Sequence, residues 1–225
     1  MKSISIQTAA TVGLAGALLM FVGDMCLYGH FGNGTDFFTN LPLVISQESE
    51  AQIITGGLIG PIAALMYCFG FFAVYKMVSP KSPLFALMVM GTLVAMIVFG
   101  GTYHAMWGIR ALLMKAGMPS GPLATLYEQT LQYMRLFFNT STCFGGVAAV
   151  LLLYLVLSKK SLYPRWVVLV NPGLLYFLAP LARSIPSPLG AVVFGGYFNL
   201  MFVALFLATI ASARSKDGLH QTHGA

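Results

Sequence analysis

Two ionisable side chains interrupt apolar stretches of this sequence and could carry acid–base chemistry. Asp24 comes late in a long apolar run, and Tyr28 follows four residues later, on the same face of a helix. His104 occupies a similar place in another apolar run, and Trp107 follows three residues later. Carboxylates and imidazoles commonly transfer protons in enzymes. If the protein is an enzyme, we therefore predict that Asp24 and His104 act as acid and base, on the hypothesis that their similar depth brings them together; the alternative for Asp24 is a structural carboxylate held by a neighbouring helix.

A stripe of polar residues marks a third apolar stretch. Its members are spaced four, three, four, three and four positions apart, which places them on one face of a helix. They are Glu128, Gln132, Arg135, Asn139, Thr142 and Gly146. One interpretation is a polar edge that joins neighbouring helices by hydrogen bonds. Because the stripe holds both a carboxylate and a guanidinium, we favour the wall of a polar pocket that opens outward.

This predicted pocket gives each candidate residue a role. Glu128 is predicted to be a catalytic carboxylate beside Asp24 and His104. Arg135 and Arg183 are predicted to hold an anionic group, because guanidinium groups bind phosphates and carboxylates well. The predicted substrate-binding residues are Tyr28, Trp107, Gln132, Arg135, Asn139, Arg183 and Asn199.

The composition decides which solvent surrounds these residues. Hydrophobic residues make up 58% of the 225 residues, and charged residues only 8%. Soluble domains contain about 25% charged residues, so this chain cannot cover a water-facing surface. The net charge of +6 does not indicate nucleic-acid binding, because the basic residues are spread over the gaps between apolar runs. The sequence therefore predicts a polytopic membrane protein.

Six segments are long and apolar enough to cross a bilayer, which takes about 20 residues of helix. They cover about 8–29, 50–75, 83–108, 134–158, 165–184 and 188–213. Backbone polar groups must be paired within each segment in lipid, so helices are expected rather than strands. The predicted fold is an all-α bundle of six transmembrane helices forming one domain, residues 1–225. The longer connections, 30–49 and 109–133, are predicted to lie outside.

The basic residues predict the orientation, since short cytoplasmic loops are rich in lysine and arginine. Eight of the twelve lysines and arginines fall on the side of the N-terminus. They are Lys2, Lys76, Lys81, Lys159, Lys160, Arg165, Arg214 and Lys216. Both termini are therefore predicted to be cytoplasmic, in a multi-pass protein of a cell membrane, specifically a bacterial inner membrane.

Familiar catalytic and cofactor motifs are absent from the sequence. It contains no HExxH, GxSxG, Walker A or GxGxxG pattern. A zinc site would need several ligands from distant segments to meet. We therefore predict no metal site and no cofactor.

Two short motifs provide a resemblance. The string GDMCLYGH at 23–30, followed by Gly-Gly-x-Tyr-His at 100–104, resembles an uncharacterised family of bacterial six-helix membrane proteins. The resemblance covers most of the chain and implies no activity.

The leading functional hypothesis is an outward-facing polar pocket that binds or chemically transforms an amphipathic, lipid-like molecule. The expected partners are the lipid bilayer and this ligand, without nucleic acid, and the oligomeric state stays open. One alternative is a transporter of a small solute or a proton-coupled substrate, with Asp24 as the coupling group. The similarity of 98–106 (VFGGTYHAM) to 193–201 (VFGGYFNLM) favours it, because many transporters contain inverted repeats. Another alternative is a structural subunit that uses the polar stripe for packing.

Overall fold

The computed structural model describes residues 4–117 and 121–222, with side chains as far as residue 214. Within these ranges the chain forms helices joined by short connections, so the predicted all-α class is confirmed there. Two 3-10 helices cover Gly34–Asp36 and Arg165–Val170. The α-helices are α1 (Ile6–Tyr28), α2 (Phe37–Gln47), α3 (Glu50–Val78), α4 (Pro83–Lys115), α5 (Pro122–Leu157), α6 (Pro172–Tyr176), α7 (Ala179–Arg183), α8 (Gly190–Gly195) and α9 (Tyr197–Thr222).

Five of the described helices are long and apolar enough to cross a bilayer: α1, α3, α4, α5 and the Tyr197–Arg214 part of α9. Each pairs its backbone groups internally, as an apolar solvent requires. Serine side chains begin two of them, since Ser5 accepts a hydrogen bond from the backbone of Thr8 and Ser49 accepts one from Gln52. These five helices overlap five of the six predicted spans, although the span predicted at 188–213 is divided into α8 and α9.

The predicted helix at 165–184 is wrong, because this segment is broken into the 3-10 helix, α6 and α7. Pro172 and Pro180 have no N–H to donate, so a continuous helix would lose hydrogen bonds there. Asn171 caps the break, with Oδ1 accepting a bond from the Gly173 N–H and Nδ2 donating to the Ala149 carbonyl.

The two ends of the bundle are named here by residues that join the chain at each end. At one end, called the basic end, Lys81 Nζ donates to the Lys159 carbonyl at 3.2 Å. At the other, called the α2 end, Lys115 Nζ donates to the Glu48 carbonyl at 2.7 Å, just beyond α2. The broken segment connects these two ends. Just before this segment, the Leu162 N–H donates a hydrogen bond to the Met77 carbonyl. In the loop after it, the Ser187 N–H donates a hydrogen bond to Asn33 Oδ1.

The predicted outer connections also need correction. The segment 30–49 contains α2, whose Phe37, Leu41 and Ile45 are buried against the bundle. The segment 109–133 consists mainly of helix, because α4 continues to Lys115 and α5 starts at Pro122. Apolar composition underestimated the lengths of α4 and α5, because both helices extend past the apolar run into polar sequence.

Small residues decide how closely the helices pack. α1 lies against α3 and α9, α3 against α4, and α4 against α5. A Cβ added to Gly13 of α1 would lie 2.4 Å from the Cα of Gly70 in α3. Gly57 of α3 and Gly108 of α4 approach similarly, with an added Cβ 3.3 Å from the opposite Cα. Backbones this close leave no room for a side chain between them.

We predict that Gly13→Ala lowers the free energy of unfolding by about 1–3 kcal/mol, as overpacking typically does. The added methyl group has to push α1 away from α3. Gly91→Ala is the control, because Gly91 lies in α4 with no atom within 4 Å of an added Cβ. The control should be neutral, or more stable by up to about 1 kcal/mol, since alanine favours helix. Thermal unfolding of both variants in detergent measures the difference, and equal melting temperatures would contradict the close α1–α3 approach.

Candidate functional site

Asp24 is the centre of a buried hydrogen-bond network. This residue is only 4% exposed and lies near the α2 end of α1. Oδ1 accepts a hydrogen bond from the Tyr28 hydroxyl, one helical turn later. Oδ2 accepts one from Asn199 Nδ2 of α9 at 2.6 Å, and Asn199 Oδ1 accepts one from the Tyr67 hydroxyl of α3 at 2.8 Å. The network therefore joins α1, α3 and α9 through polar groups that lipid could not satisfy.

His104 completes the site from α4. Its Nε2 lies 3.2 Å from Asp24 Oδ1, close enough for an ion pair when the imidazole is protonated. The angles are not those of a hydrogen bond, and both ring nitrogens lack a hydrogen-bond partner among the described residues. The ring occupies a notch between Gly23 and Gly60, where an added Cβ would come within 2.9 Å and 2.6 Å of ring atoms. His104 is thus fixed in place with hydrogen-bonding capacity unused.

A cavity of about 450 Å³ lies beside this network. Its size is within the range of about 300–1,000 Å³ that is typical of small-molecule sites. Asp24, His104 and Asn199 line it, and most of the remaining wall is apolar or aromatic. Along α5 the wall runs from Phe138 to Leu153, which corresponds to about 22 Å of helix. The cavity is therefore long and mainly apolar, with a polar patch in its wall.

Aromatic rings separate the cavity from the α2 end of the bundle. The ring of Tyr28, which lines the cavity, packs against Phe37 of α2 at 5.5 Å and against Trp107 of α4 at 5.2 Å between centroids. Phe37 in turn packs against Phe194 of α8 at 5.5 Å. These rings belong to a second buried cluster, distinct from the main core. A molecule coming from that end would have to displace them.

The cavity opens sideways, between α5 and α6. Val150 of α5 is 67% exposed and Phe177, just past α6, is 77% exposed, although both line the cavity. Gly146 of α5 and Leu174 of α6 are also lining residues with exposed surface. These residues lie within α5, a span-length helix, and the broken segment between the two bundle ends. The opening therefore faces the surface that lipid would cover.

Comparison with known proteins adds one finding. The family model described as a family of unknown function, DUF6796, matches residues 1–215. The chain belongs to this family. The predicted resemblance to an uncharacterised family is thereby confirmed, while the bacterial origin stays a prediction. No curated protein and no solved structure matches the chain.

In this DUF6796 protein, four of the predicted site residues meet. Asp24, Tyr28, His104 and Asn199 all line the cavity and contact one another through Asp24. Trp107 is buried behind Tyr28, where the guanidinium of Arg110 lies 4.5 Å from its ring. Trp107 does not line the cavity, but it packs against the Tyr28 ring, which does.

The polar stripe of α5 does not form the predicted pocket wall. Thr142 and Gly146 line the cavity, whereas the four earlier members are exposed and do not. α5 packs on α4, and its contacts with the segment before α6 include the Ala149 carbonyl, which lies beyond the stripe. The first half of the stripe is left exposed in the part of the chain that the structure describes. The four exposed members are Glu128, Gln132, Arg135 and Asn139.

The predicted anion clamp is likewise absent from the cavity. Arg135 is exposed on α5, and Arg183 is exposed at the end of α7, close to the loop that precedes α2. Neither lines the cavity. The predicted outward-facing polar pocket is thus replaced by an apolar cavity with a lateral opening.

Sequence reasoning left Tyr67 and Asn171 out of the predicted site, although both line the cavity. One feature of the sequence did point to the arrangement of His104 and Asn199 around Asp24. When 98–106 is aligned with 193–201, His104 falls on Asn199. These two residues approach Asp24 from different helices and at different oxygens. Gly100 and Gly195, also aligned, both line the cavity.

We predict that Tyr67→Phe lowers the free energy of unfolding by about 0.6–1.7 kcal/mol, the range measured for hydrogen bonds between membrane helices. The variant leaves Asn199 Oδ1 without its donor while it preserves the ring packing. Tyr133→Phe is the matched control, because Tyr133 is 60% exposed, and it should change stability by less than about 0.5 kcal/mol. Chemical unfolding in mixed micelles compares the two. A Tyr67→Phe protein as stable as the control would show that the Tyr67–Asn199 bond contributes little.

Proposed function

We propose that the protein binds an amphipathic, lipid-like molecule within the membrane. The apolar chain of the ligand occupies the cavity, and its polar group lies beside Asp24 and His104. The observation that carries this proposal is the lateral opening between α5 and α6. A ligand dissolved in the bilayer reaches such an opening directly, without passing through water.

The proposal includes a membrane arrangement, which the five span-length helices support. α1, α3, α4, α5 and α9 cross the bilayer, and the broken segment between Arg165 and Arg183 provides the sixth crossing. The basic end lies at the cytoplasm, as the distribution of lysines favours. Asp24 and His104 then lie in the outer half of the membrane, and the opening faces the lipid chains.

The chemistry of the polar patch suits recognition and proton transfer. Asp24 has both oxygens fixed by Tyr28 and Asn199, so its position depends on the fold and not on the ligand. His104 keeps unused hydrogen-bonding capacity beside this carboxylate. In a reaction of the bound molecule, the His104 imidazole would take a proton from the ligand or give one to it. Asp24 would orient the imidazole and stabilise its protonated form.

The alternatives are less well supported by the same features. A polar solute would need polar walls along its route, but the cavity wall is mainly apolar and rings close its α2 end. A purely structural subunit would use the Asp24 network to join helices, but packing alone does not call for a cavity of about 450 Å³ with an exposed edge.

A pair of glycine variants tests the proposal. We predict that Gly146→Leu abolishes ligand binding, because the new side chain projects from the lining of α5 into the opening. An added Cβ at Gly146 meets no atom within 4 Å, so the fold should accept the leucine. Gly91→Leu is the matched control, since Gly91 has equal free space on α4 but does not line the cavity.

The measurement is native mass spectrometry of the proteins released from mild detergent after incubation with a total lipid extract. Wild type and Gly91→Leu should carry the same discrete bound mass. Gly146→Leu should lose about nine-tenths of it or more, equivalent to at least about 1.4 kcal/mol of binding free energy. A wild-type protein that stays free of lipid, or a Gly146→Leu protein that still binds fully, would refute the proposal.

A further inference from the structure

We infer that the polar group of the ligand is an uncharged hydroxyl, so that the ligand is a long-chain or polycyclic alcohol rather than a fatty acid or a phospholipid. This inference rests on the proposed lipid binding and specifies its substrate class. It also departs from the expectation that arginines hold an anionic head group.

The charges around the cavity argue against an anion. Among the residues that the structure describes, no lysine or arginine lines the cavity. The acidic group that does line it is Asp24, buried at 4% exposure. A second negative charge placed here would be repelled by this carboxylate, and the low dielectric of the surroundings strengthens the repulsion. His104, the basic side chain that lines the cavity, already lies 3.2 Å from Asp24 Oδ1 and is paired with that carboxylate when protonated. Arg135 and Arg183, exposed and outside the lining, cannot compensate for it.

The same carboxylate does not require a cationic ligand. Oδ1 already accepts the Tyr28 hydroxyl, and Oδ2 already accepts the amide of Asn199. His104 lies 3.2 Å from Oδ1 as the basic partner. An ammonium group would have to compete with His104 for Asp24, and it would bring an uncompensated charge whenever His104 is protonated. When His104 is protonated, the pair that it forms with Asp24 is already neutral without a ligand ion.

His104 provides what a hydroxyl can use. Its two ring nitrogens lack hydrogen-bond partners among the described residues, although the residue is only 5% exposed. A neutral imidazole has one donor and one acceptor, and a hydroxyl group has both functions as well. Both nitrogens are themselves buried, so a small turn of the ring, which lines the cavity, would present one of them to an alcohol, in either tautomer. The alcohol then gives the buried His104 imidazole a hydrogen-bond partner without adding a charge to the cavity.

The experiment compares lipids that share one saturated chain and differ only in the head group: an alcohol, a carboxylate, a phosphate monoester and a primary amine. Binding to the wild-type protein in detergent micelles is titrated by native mass spectrometry. Gly146→Leu, in which the opening is filled, measures non-specific association with the micelle. The alcohol should bind at least about ten-fold more tightly than each of the three charged lipids.

The outcomes separate this inference from the proposed function. Tighter or equal binding of any charged lipid overturns the hydroxyl preference while lipid binding stands. If none of the four lipids exceeds the Gly146→Leu background, the proposed function itself is refuted. Preference for the alcohol supports both.

Two variants test the electrostatic cause. Asp24→Asn removes the charge at nearly constant shape, so the advantage of the alcohol over the carboxylate should shrink toward equality. Thr142→Lys adds a cation at a half-buried lining position of α5, and it should strengthen binding of the carboxylate and the phosphate. The lysine variant leaves the Asp24 network intact, so it remains informative if Asp24→Asn fails to fold. Unchanged discrimination in a folded variant overturns the inference that Asp24 excludes anions.

Discussion

The burial of one carboxylate is the constraint on which the rest of the structure depends. Asp24 lies where neither water nor lipid can satisfy it, so the fold must supply donors from several helices. Tyr28 comes from α1 itself and Asn199 from α9. His104 approaches from α4, and glycines at 23 and 60 leave the room for its ring. Four helices are thereby fixed in depth relative to one another, because a shift of a single turn would separate these groups.

Tight packing on one side of the bundle explains the free space on the other. α1, α3 and α4 approach closely where glycines face each other, as at Gly13 and Gly70. α5 rests on α4 but stays apart from α9 along much of its length. The broken segment with α6 fills this gap only in part. The cavity is therefore the space between a compact set of glycine-rich helices and the side of α5 that faces the broken segment.

The sequence predicted the long helices and part of the site, for understandable physical reasons. Apolar length is a direct requirement of the bilayer, so five spans were evident. Asp24 and His104 were evident because ionisable groups are costly in such segments. The break at 165–184 was missed, since hydropathy measures apolarity and not the continuity of hydrogen bonds, although Pro172 and Pro180 marked it. The stripe on α5 was a true helix face, but periodicity cannot show whether another helix stands opposite, and Arg135 is exposed in the described structure.

The broken segment gives the cavity two walls of different stiffness. The wall formed by α5 is one uninterrupted ladder of backbone hydrogen bonds over Pro122–Leu157. The opposite wall includes α6, a helix of five residues, whose attachments include the Asn171 amide on the Ala149 carbonyl and the Tyr197 hydroxyl on the Leu175 carbonyl. A short helix yields more easily than a long continuous one. A bulkier occupant would thus be accommodated by displacement of α6, while α5 keeps its position.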